Sequence, residues 1–132
     1  MPNRLALIIL KSGVERNPNN PGVQMKILII DDSPLASKAL KRALERKGHR
    51  VDIVDAQNRP MVAFALTAPY GHCIMDFDGH PVDAWTAVAA LKRIPVTIWT
   101  GSPVVAERHD WRHQPVAIRG KTETDEIIES LS

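Results

Sequence analysis

Two adjacent carboxylates, Asp31 and Asp32, follow directly after an apolar run in the segment "KILIIDDSP". Like charges at this separation repel each other and resist removal from water. A compensating cation is therefore expected beside them. Mg²⁺ suits the pair, because it prefers oxygen ligands and keeps part of its water shell.

Other residues that could do chemistry stand at the ends of three later apolar runs. Asp76 ends "CIMD" and is followed two residues on by Asp78, Thr100 ends "TIWT", and Lys121 follows "IRG". In open α/β sheets, ligands bind beyond the carboxyl ends of the strands, where the strand order reverses. We therefore expect these carboxylates, the hydroxyl and the ammonium group to converge.

Five short apolar runs would position these residues as buried strands: Ile27–Asp31, Val51–Asp55, His72–Asp76, Pro95–Trp99 and Pro115–Arg119. Helices are expected between and after them, the first from Pro34 to just before Gly48, then Gln57–Thr67, Val82–Lys92, Pro103–Trp111 and Thr124–Leu131. Near-continuous apolar strands alternating with helices indicate a parallel sheet covered on both faces. The predicted fold is α/β, a flavodoxin-like (βα)5 doubly wound sheet with the order 2-1-3-4-5.

The first helix has the clearest end signals. Ser33 and Pro34 predict the N-cap and first helical position, and Gly48 predicts the stop. The predicted inward stripe is Leu35, Ala39, Leu40, Ala43 and Leu44.

The first 24 residues do not follow this rhythm, so the predicted organisation is an extension over 1–24 and a domain over 25–132. "LALIIL", residues 5–10, favours an extra edge strand that could pair with a second subunit, and "SGVERNPNNPG" predicts a long turn. The alternative is a poorly ordered chain end.

Composition narrows the function. The chain of 132 residues carries 44% hydrophobic and 24% charged residues, as expected for one globular domain. Its formal charge of +2 is contributed by residues 1–24, and the neutral remainder argues against nucleic-acid binding. No apolar run approaches the roughly 20 residues that cross a membrane. The single cysteine, Cys73, fits a reducing cytoplasm.

Residues 25–131 resemble the receiver domain of bacterial response regulators, which act in two-component signalling. The segments that carry the resemblance are "ILIIDDS", "CIMD", "IWTGS" and "IRGKT". The resemblance implies that Asp76 accepts a phosphoryl group from a phosphohistidine. It also implies a Mg²⁺ site formed by Asp32 directly, Asp31 through water, Asp76, and the backbone carbonyl of Asp78.

By the same resemblance, Lys121 and the Thr100 hydroxyl would bind phosphoryl oxygens, and Gly101 would leave space for them. The implied partners are a histidine kinase or a histidine phosphotransfer protein, and an unidentified downstream protein reached by contact. The chain would then be a phosphoacceptor more than a turnover enzyme.

Four features depart from the family pattern. Thr122 stands where proline is typical, and Ile118 stands where an aromatic switch residue is usual. Only 24 residues separate Asp76 from Thr100, and Asp78 adds a side-chain carboxylate to the site. These departures leave open a receiver-like module that binds partners without being phosphorylated.

A phosphatase of the haloacid-dehalogenase type is a further alternative. "MDFDGHPVD" and "TIWTGSP" look like two of its motifs, with Asp76 as the nucleophile and Asp78 as the general acid and base. The late acidic motif of that family is missing after Lys121, where only residues of a predicted helix remain.

Overall fold

The sheet forms the centre of the molecule. The computed structural model describes residues 14–17, 20–78, 82–112 and 114–131. Its strands are β1 (Val14–Asn17), β2 (Asn20–Asp31), β3 (Arg50–Asp55), β4 (His72–Asp76), β5 (Val96–Thr100) and β6 (Val116–Gly120). Its helices are α1 (Pro34–Arg46), α2 (Arg59–Ala65), α3 (Asp83–Leu91), α4 (Pro103–Arg108) and α5 (Thr124–Ser130).

Five of the strands run parallel, in the spatial order β3-β2-β4-β5-β6. Counted along the chain, these five strands lie in the order 2-1-3-4-5, so the predicted flavodoxin-like α/β fold is confirmed. The reversal point lies between β2 and β4, which are neighbours in space although β3 separates them in sequence.

Helices cover both faces of the sheet. On one face, Leu40 and Leu44 of α1 and Ile127 of α5 pack against buried residues of the central strands. On the other face, Val62 of α2 and Trp85 of α3 belong to a second apolar cluster. Every residue of β4 and of β5 is buried, as expected for central strands enclosed from both sides.

The amino-terminal hairpin corrects the predicted long turn. β1 pairs antiparallel with the start of β2, with Val14 opposite Met25 and Asn17 opposite Asn20. The predicted turn was too long, because Val14–Asn17 lie in β1 and residues 20–22 lie at the start of β2. β2 begins at Asn20 and passes without a break through the boundary predicted at residue 25. The "LALIIL" segment lies outside the described residues.

The inward face of α1 also differs from the predicted stripe. Leu35 is 80% exposed and Ala39 is exposed, whereas Ser37 is fully buried together with Leu40 and Leu44. Ser37 faces inward because its hydroxyl donates a hydrogen bond to the buried carboxylate of Asp31 at the end of β2. Gly48 follows the helix with a φ of 95°, a conformation that glycine adopts without strain.

Helix and strand ends shift by a few residues from the prediction. α4 ends at Arg108 instead of Trp111, and α2 is limited to Arg59–Ala65 behind its N-cap Asn58. β5 and β6 each begin one residue after a proline, which cannot donate to the ladder. Among the described residues, no helix is both long and apolar enough to cross a membrane.

Candidate functional site

Asp31 ends β2 as a fully buried carboxylate. One of its oxygens, Oδ1, accepts a hydrogen bond of 2.9 Å from the backbone N–H of Ser33, and Oδ2 accepts one from the Ser37 hydroxyl. These bonds fix the carboxylate at the point where α1 begins, so its orientation is set before any ligand arrives.

Asp76 ends β4, the neighbouring strand, and is 3% exposed. Its Oδ1 accepts a hydrogen bond of 2.9 Å from the backbone N–H of Asp78 and lies 3.4 Å from the ammonium nitrogen of Lys121. This side chain is therefore enclosed by the sheet while one oxygen faces a cation.

The two buried carboxylates perturb each other. Burial raises the pKa of Asp76 to about 7, and the hydrogen bond and negative charge of Asp31 add to the rise against the opposing effects of the Asp78 N–H and Lys121. Burial also acts to raise the pKa of Asp31, but its bonds with Asp76, Ser37 and Ser33, with the Lys121 charge, hold that pKa below its ordinary value. Without a cation, the two neighbouring carboxylates therefore resist being ionised at the same time.

A third carboxylate completes an acidic cluster. Carboxylate oxygens of Asp31, Asp32 and Asp76 all lie within 4.8 Å of one another. Asp32 is half-buried, so the cluster opens toward solvent on its side. Three closely spaced oxygen donors with an open approach fit a hard divalent cation that keeps several waters.

Thr100 ends β5 and is fully buried. Its hydroxyl donates a hydrogen bond of 2.6 Å to Oδ1 of Asp78 and accepts one of 3.0 Å from the backbone N–H of Ser102. The other oxygen of Asp78 accepts a 2.8 Å bond from the backbone N–H of Gly101. The Asp78 carboxylate thus binds two donors at the end of β5.

Lys121 follows β6, and its backbone N–H donates to the Thr100 carbonyl at 2.9 Å. Its ammonium nitrogen also lies 3.9 Å from the centre of the buried Trp99 ring. This cation–π contact and the nearby Asp76 oxygen hold the side chain over the site, although it is half-buried.

The structure therefore brings together the predicted residues Asp31, Asp32, Asp76, Asp78, Thr100 and Lys121 at the carboxyl edge of the sheet. Two contributors went unnoticed in the sequence, Ser37 beneath Asp31 and Trp99 beneath Lys121. Ser37 could have been found from its position one and two helical turns before Leu40 and Leu44. Trp99 ends a predicted strand and is buried, and nothing in its spacing indicates the contact with Lys121.

A further cluster connects the site to the segment after α4. Phe77 lies between Asp76 and Asp78 in the chain. Its ring packs against the rings of His109 and Trp111, with ring centres 5.1 and 5.2 Å away. His109 also contacts an Asp83 oxygen at 2.7 Å. These rings tie the chain before β6 to the residue that follows Asp76.

Similarity to known proteins agrees with this geometry. No protein-family model matches the chain. It is 32% identical over 88 residues to the transcriptional regulatory protein TcrA of Mycobacterium tuberculosis. This match covers 64% of the chain and 34% of TcrA, so the chain spans about a third of the length of the curated relatives it matches.

Among solved structures, the receiver domain of the response regulator PhyR from Erythrobacter litoralis is 25% identical, with a TM-score of 0.65 over 81% of this chain and 86% of that domain. This chain has the receiver-domain fold. The resemblance to response regulator receivers that the four sequence motifs predicted is confirmed. Another structure with the receiver-domain fold, from the sensor histidine kinase PA1611 of Pseudomonas aeruginosa, holds a magnesium ion in its active-site cleft. It is 19% identical, with a TM-score of 0.62 over 80% of this chain and 95% of that one.

Proposed function

We propose that this receiver-like chain accepts a phosphoryl group on Asp76 in a Mg²⁺-dependent reaction and passes the signal on by protein contact. The observation that carries the proposal is the enclosed Asp76 carboxylate at the switch point, with Lys121 at 3.4 Å and the oxygens of Asp31 and Asp32 within 4.8 Å. A carboxylate is a weak nucleophile, so its position and the charges around it must supply the catalysis.

In the proposed reaction, an oxygen of ionised Asp76 forms a bond to phosphorus as the bond from phosphorus to the donor breaks. The leaving group, an imidazole nitrogen or acetate, departs with the electron pair. Bound Mg²⁺ would neutralise charge on the phosphoryl oxygens during this transfer. Asp31, Asp32 and Asp76 would hold the ion, and the backbone carbonyl of Asp78 remains a predicted ligand.

Two other groups would bind the transferred phosphoryl oxygens. Lys121 is already placed beside Asp76, and its contact with Trp99 limits the conformations it must give up. Thr100 lies at the end of the adjacent strand, and its hydroxyl would bind a phosphoryl oxygen in place of its present acceptor, Asp78. Histidine kinases or histidine phosphotransfer proteins are the proposed donors, and the receiver domain of PA1611, itself part of a sensor histidine kinase, supports a two-component context.

The test is the intact mass of the purified chain after incubation with acetyl phosphate, with and without Mg²⁺. We expect the wild type to gain the mass of one phosphoryl group only when Mg²⁺ is present, and Asp76→Asn to gain none. Asp55→Asn is the matched control, because Asp55 ends the parallel strand beside β2 and is exposed. An unlabelled wild type with bound Mg²⁺ would contradict the proposal, and rapid consumption of acetyl phosphate without an adduct would favour the phosphatase alternative.

A receiver-like module that works without phosphorylation is a second candidate. The observation that favours it is the position of the Asp78 carboxylate, which already binds the Thr100 hydroxyl and the Gly101 N–H. Partner binding that is identical for wild type and Asp76→Asn, in the presence and absence of acetyl phosphate, would support this candidate over the first.

A further inference from the structure

The side chain of Asp78 makes a paired contact that the motif pattern does not account for. Oδ1 is 2.6 Å from the Thr100 hydroxyl oxygen, and Oδ2 is 2.8 Å from the Gly101 nitrogen. A carboxylate that accepts two hydrogen bonds through its two oxygens is held in one orientation. Asp78 lies two residues after Asp76, and its own N–H donates to Asp76, so the contact begins beside the proposed phosphoacceptor.

Both donors in this contact are fully used. A hydroxyl group has one proton, and the proton of Thr100 is directed at Asp78 while its lone pair accepts from the Ser102 N–H. A backbone amide also has one proton, and that of Gly101 points at the second Asp78 oxygen. A phosphoryl group on Asp76 could bind these donors only after Asp78 releases them.

We propose that the Asp78 carboxylate is an internal competitor of the phosphoryl group, occupying the Thr100 and Gly101 donors until phosphorylation displaces it. The inference rests on the function proposed above. A carboxylate and a phosphoryl group are both anions with oxygen acceptors, so one can take the place of the other at the same donors. They cannot share the place, because two anions at this distance repel each other.

The local packing agrees with a site already filled. A Cβ added to Gly101 would lie 3.3 Å from Oδ2 of Asp78, so the space beside Gly101 is taken up by this side chain. The Thr100 hydroxyl is held on Asp78 in the unphosphorylated protein. Phosphorylation at Asp76 is therefore slowed, because these donors must first be released.

Two substitutions separate competition for the donors from simple loss of charge. Asp78→Asn removes the charge but retains one acceptor oxygen, so it frees only one of the two donors. Asp78→Ala removes the charge and both acceptors. We expect the rate of labelling by acetyl phosphate and Mg²⁺ to rise several-fold in Asp78→Asn and further in Asp78→Ala. Asp55→Asn, which removes one charge from the same edge of the sheet and keeps its bond to the Gln57 N–H, should stay within twofold of wild type.

A second measurement reads the contact without any phosphate. The amide resonance of Gly101 in a ¹⁵N-labelled sample should shift strongly in Asp78→Ala, because its proton loses a charged acceptor, and should not move in Asp55→Asn. An unchanged Gly101 resonance would overturn the inference. Equal rates for wild type and both Asp78 variants would also overturn it while leaving the proposed function intact. Equal acceleration in Asp78→Asn and Asp78→Ala would overturn it as well, because loss of charge alone would then explain the effect. Absence of labelling in all four proteins would overturn the proposed function itself.

Discussion

The residues at the two ends of β4 are both buried, but their side chains have different surroundings. His72 opens the strand and is 8% exposed, and Asp76 closes it and is 3% exposed. Burial favours the neutral form of each side chain, since it lowers the pKa of His72 to about 4 and contributes most to raising the pKa of Asp76 to about 7.

The surroundings of the two residues differ. The His72 side chain bonds the neutral Thr97 hydroxyl at 2.7 Å. It also lines a mostly apolar cavity of about 600 Å³ together with Val96, Val116 and Arg93. Asp76 faces an ammonium group, a backbone N–H and two further carboxylates. His72 thus has a neutral hydrogen-bond partner, whereas Asp76 lies among charged groups. This difference supports the proposed site at the carboxyl edge of the sheet.

We expect the largest effect on cation binding at the Asp76 end of β4. Asp32→Asn removes a carboxylate from the acidic cluster while preserving the size of the side chain, and we expect its Mg²⁺ affinity to fall by about tenfold or more. Isothermal titration calorimetry at pH 8 measures the affinity. Asp55→Asn should bind as wild type does, and unaltered binding by Asp32→Asn would remove Asp32 from the cation site.

The next effect concerns the stability of the metal-free protein. The folded pKa of Asp76, about 7, lies above its ordinary value of 3.8, so the folded state holds a proton that the unfolded state has lost. The contribution of Asp76 to stability is full below about pH 4 and is lost as the pH rises through 7. Asp76→Asn should therefore unfold at a higher urea concentration than wild type at pH 8. We expect its free energy of unfolding to be higher by about 1–2 kcal/mol, after allowance for the lost contact with Lys121.

Chelator must be present in both samples, because bound Mg²⁺ would offset the same repulsion. At pH 5 the difference between the two proteins should shrink. A variant that is destabilised equally at pH 5 and pH 8 would show that ionised Asp76 carries no stability cost.

The smallest effect lies at the opposite end of the strand and has the opposite sign. His72 titrates at about 4 in the folded state against an ordinary 6.5, so the unfolded state binds the proton first as the pH falls. Its contribution to stability is full above pH 6.5 and is lost toward pH 4. His72→Gln keeps an amide near Thr97. Between pH 7.5 and pH 5, its free energy of unfolding should fall by about 1 kcal/mol less than that of wild type.

Urea unfolding at these two pH values measures the loss. Asp76 is present in both proteins, so its contribution cancels in the comparison. Equal losses in wild type and His72→Gln would mean that the buried imidazole is not responsible for the acid sensitivity.

The sequence predicted the fold because the pattern that defines it is local and repeated. Apolar runs of strand length that alternate with helix-length segments are enough to place the strands and their carboxyl ends. The predicted site residues meet at that edge for the same reason. Errors arose where a tertiary contact outweighed the local pattern, as at Ser37, which is buried to bond Asp31 while Leu35 stays exposed.

The contacts within the site could not be predicted in this way. Asp78 and Thr100 are 22 residues apart, and whether a carboxylate at that position faces the hydroxyl depends on the path of the intervening loop and α3. The cation–π contact of Lys121 with Trp99 likewise joins two strands whose side-chain directions are set by packing. Spacing identifies which residues approach one edge, but it does not give the pairs they form there.

Four carboxylates gather at this edge of the sheet, and we propose Asp76 as the phosphoacceptor among them. Labelling the chain with acetyl phosphate and Mg²⁺, reducing the aspartyl phosphate with borohydride and locating the resulting homoserine by peptide mass spectrometry identifies the modified residue. We expect homoserine at position 76 and unmodified residues at positions 31, 32 and 78. Homoserine at any of those three positions, with Asp76 unmodified, would contradict this proposal.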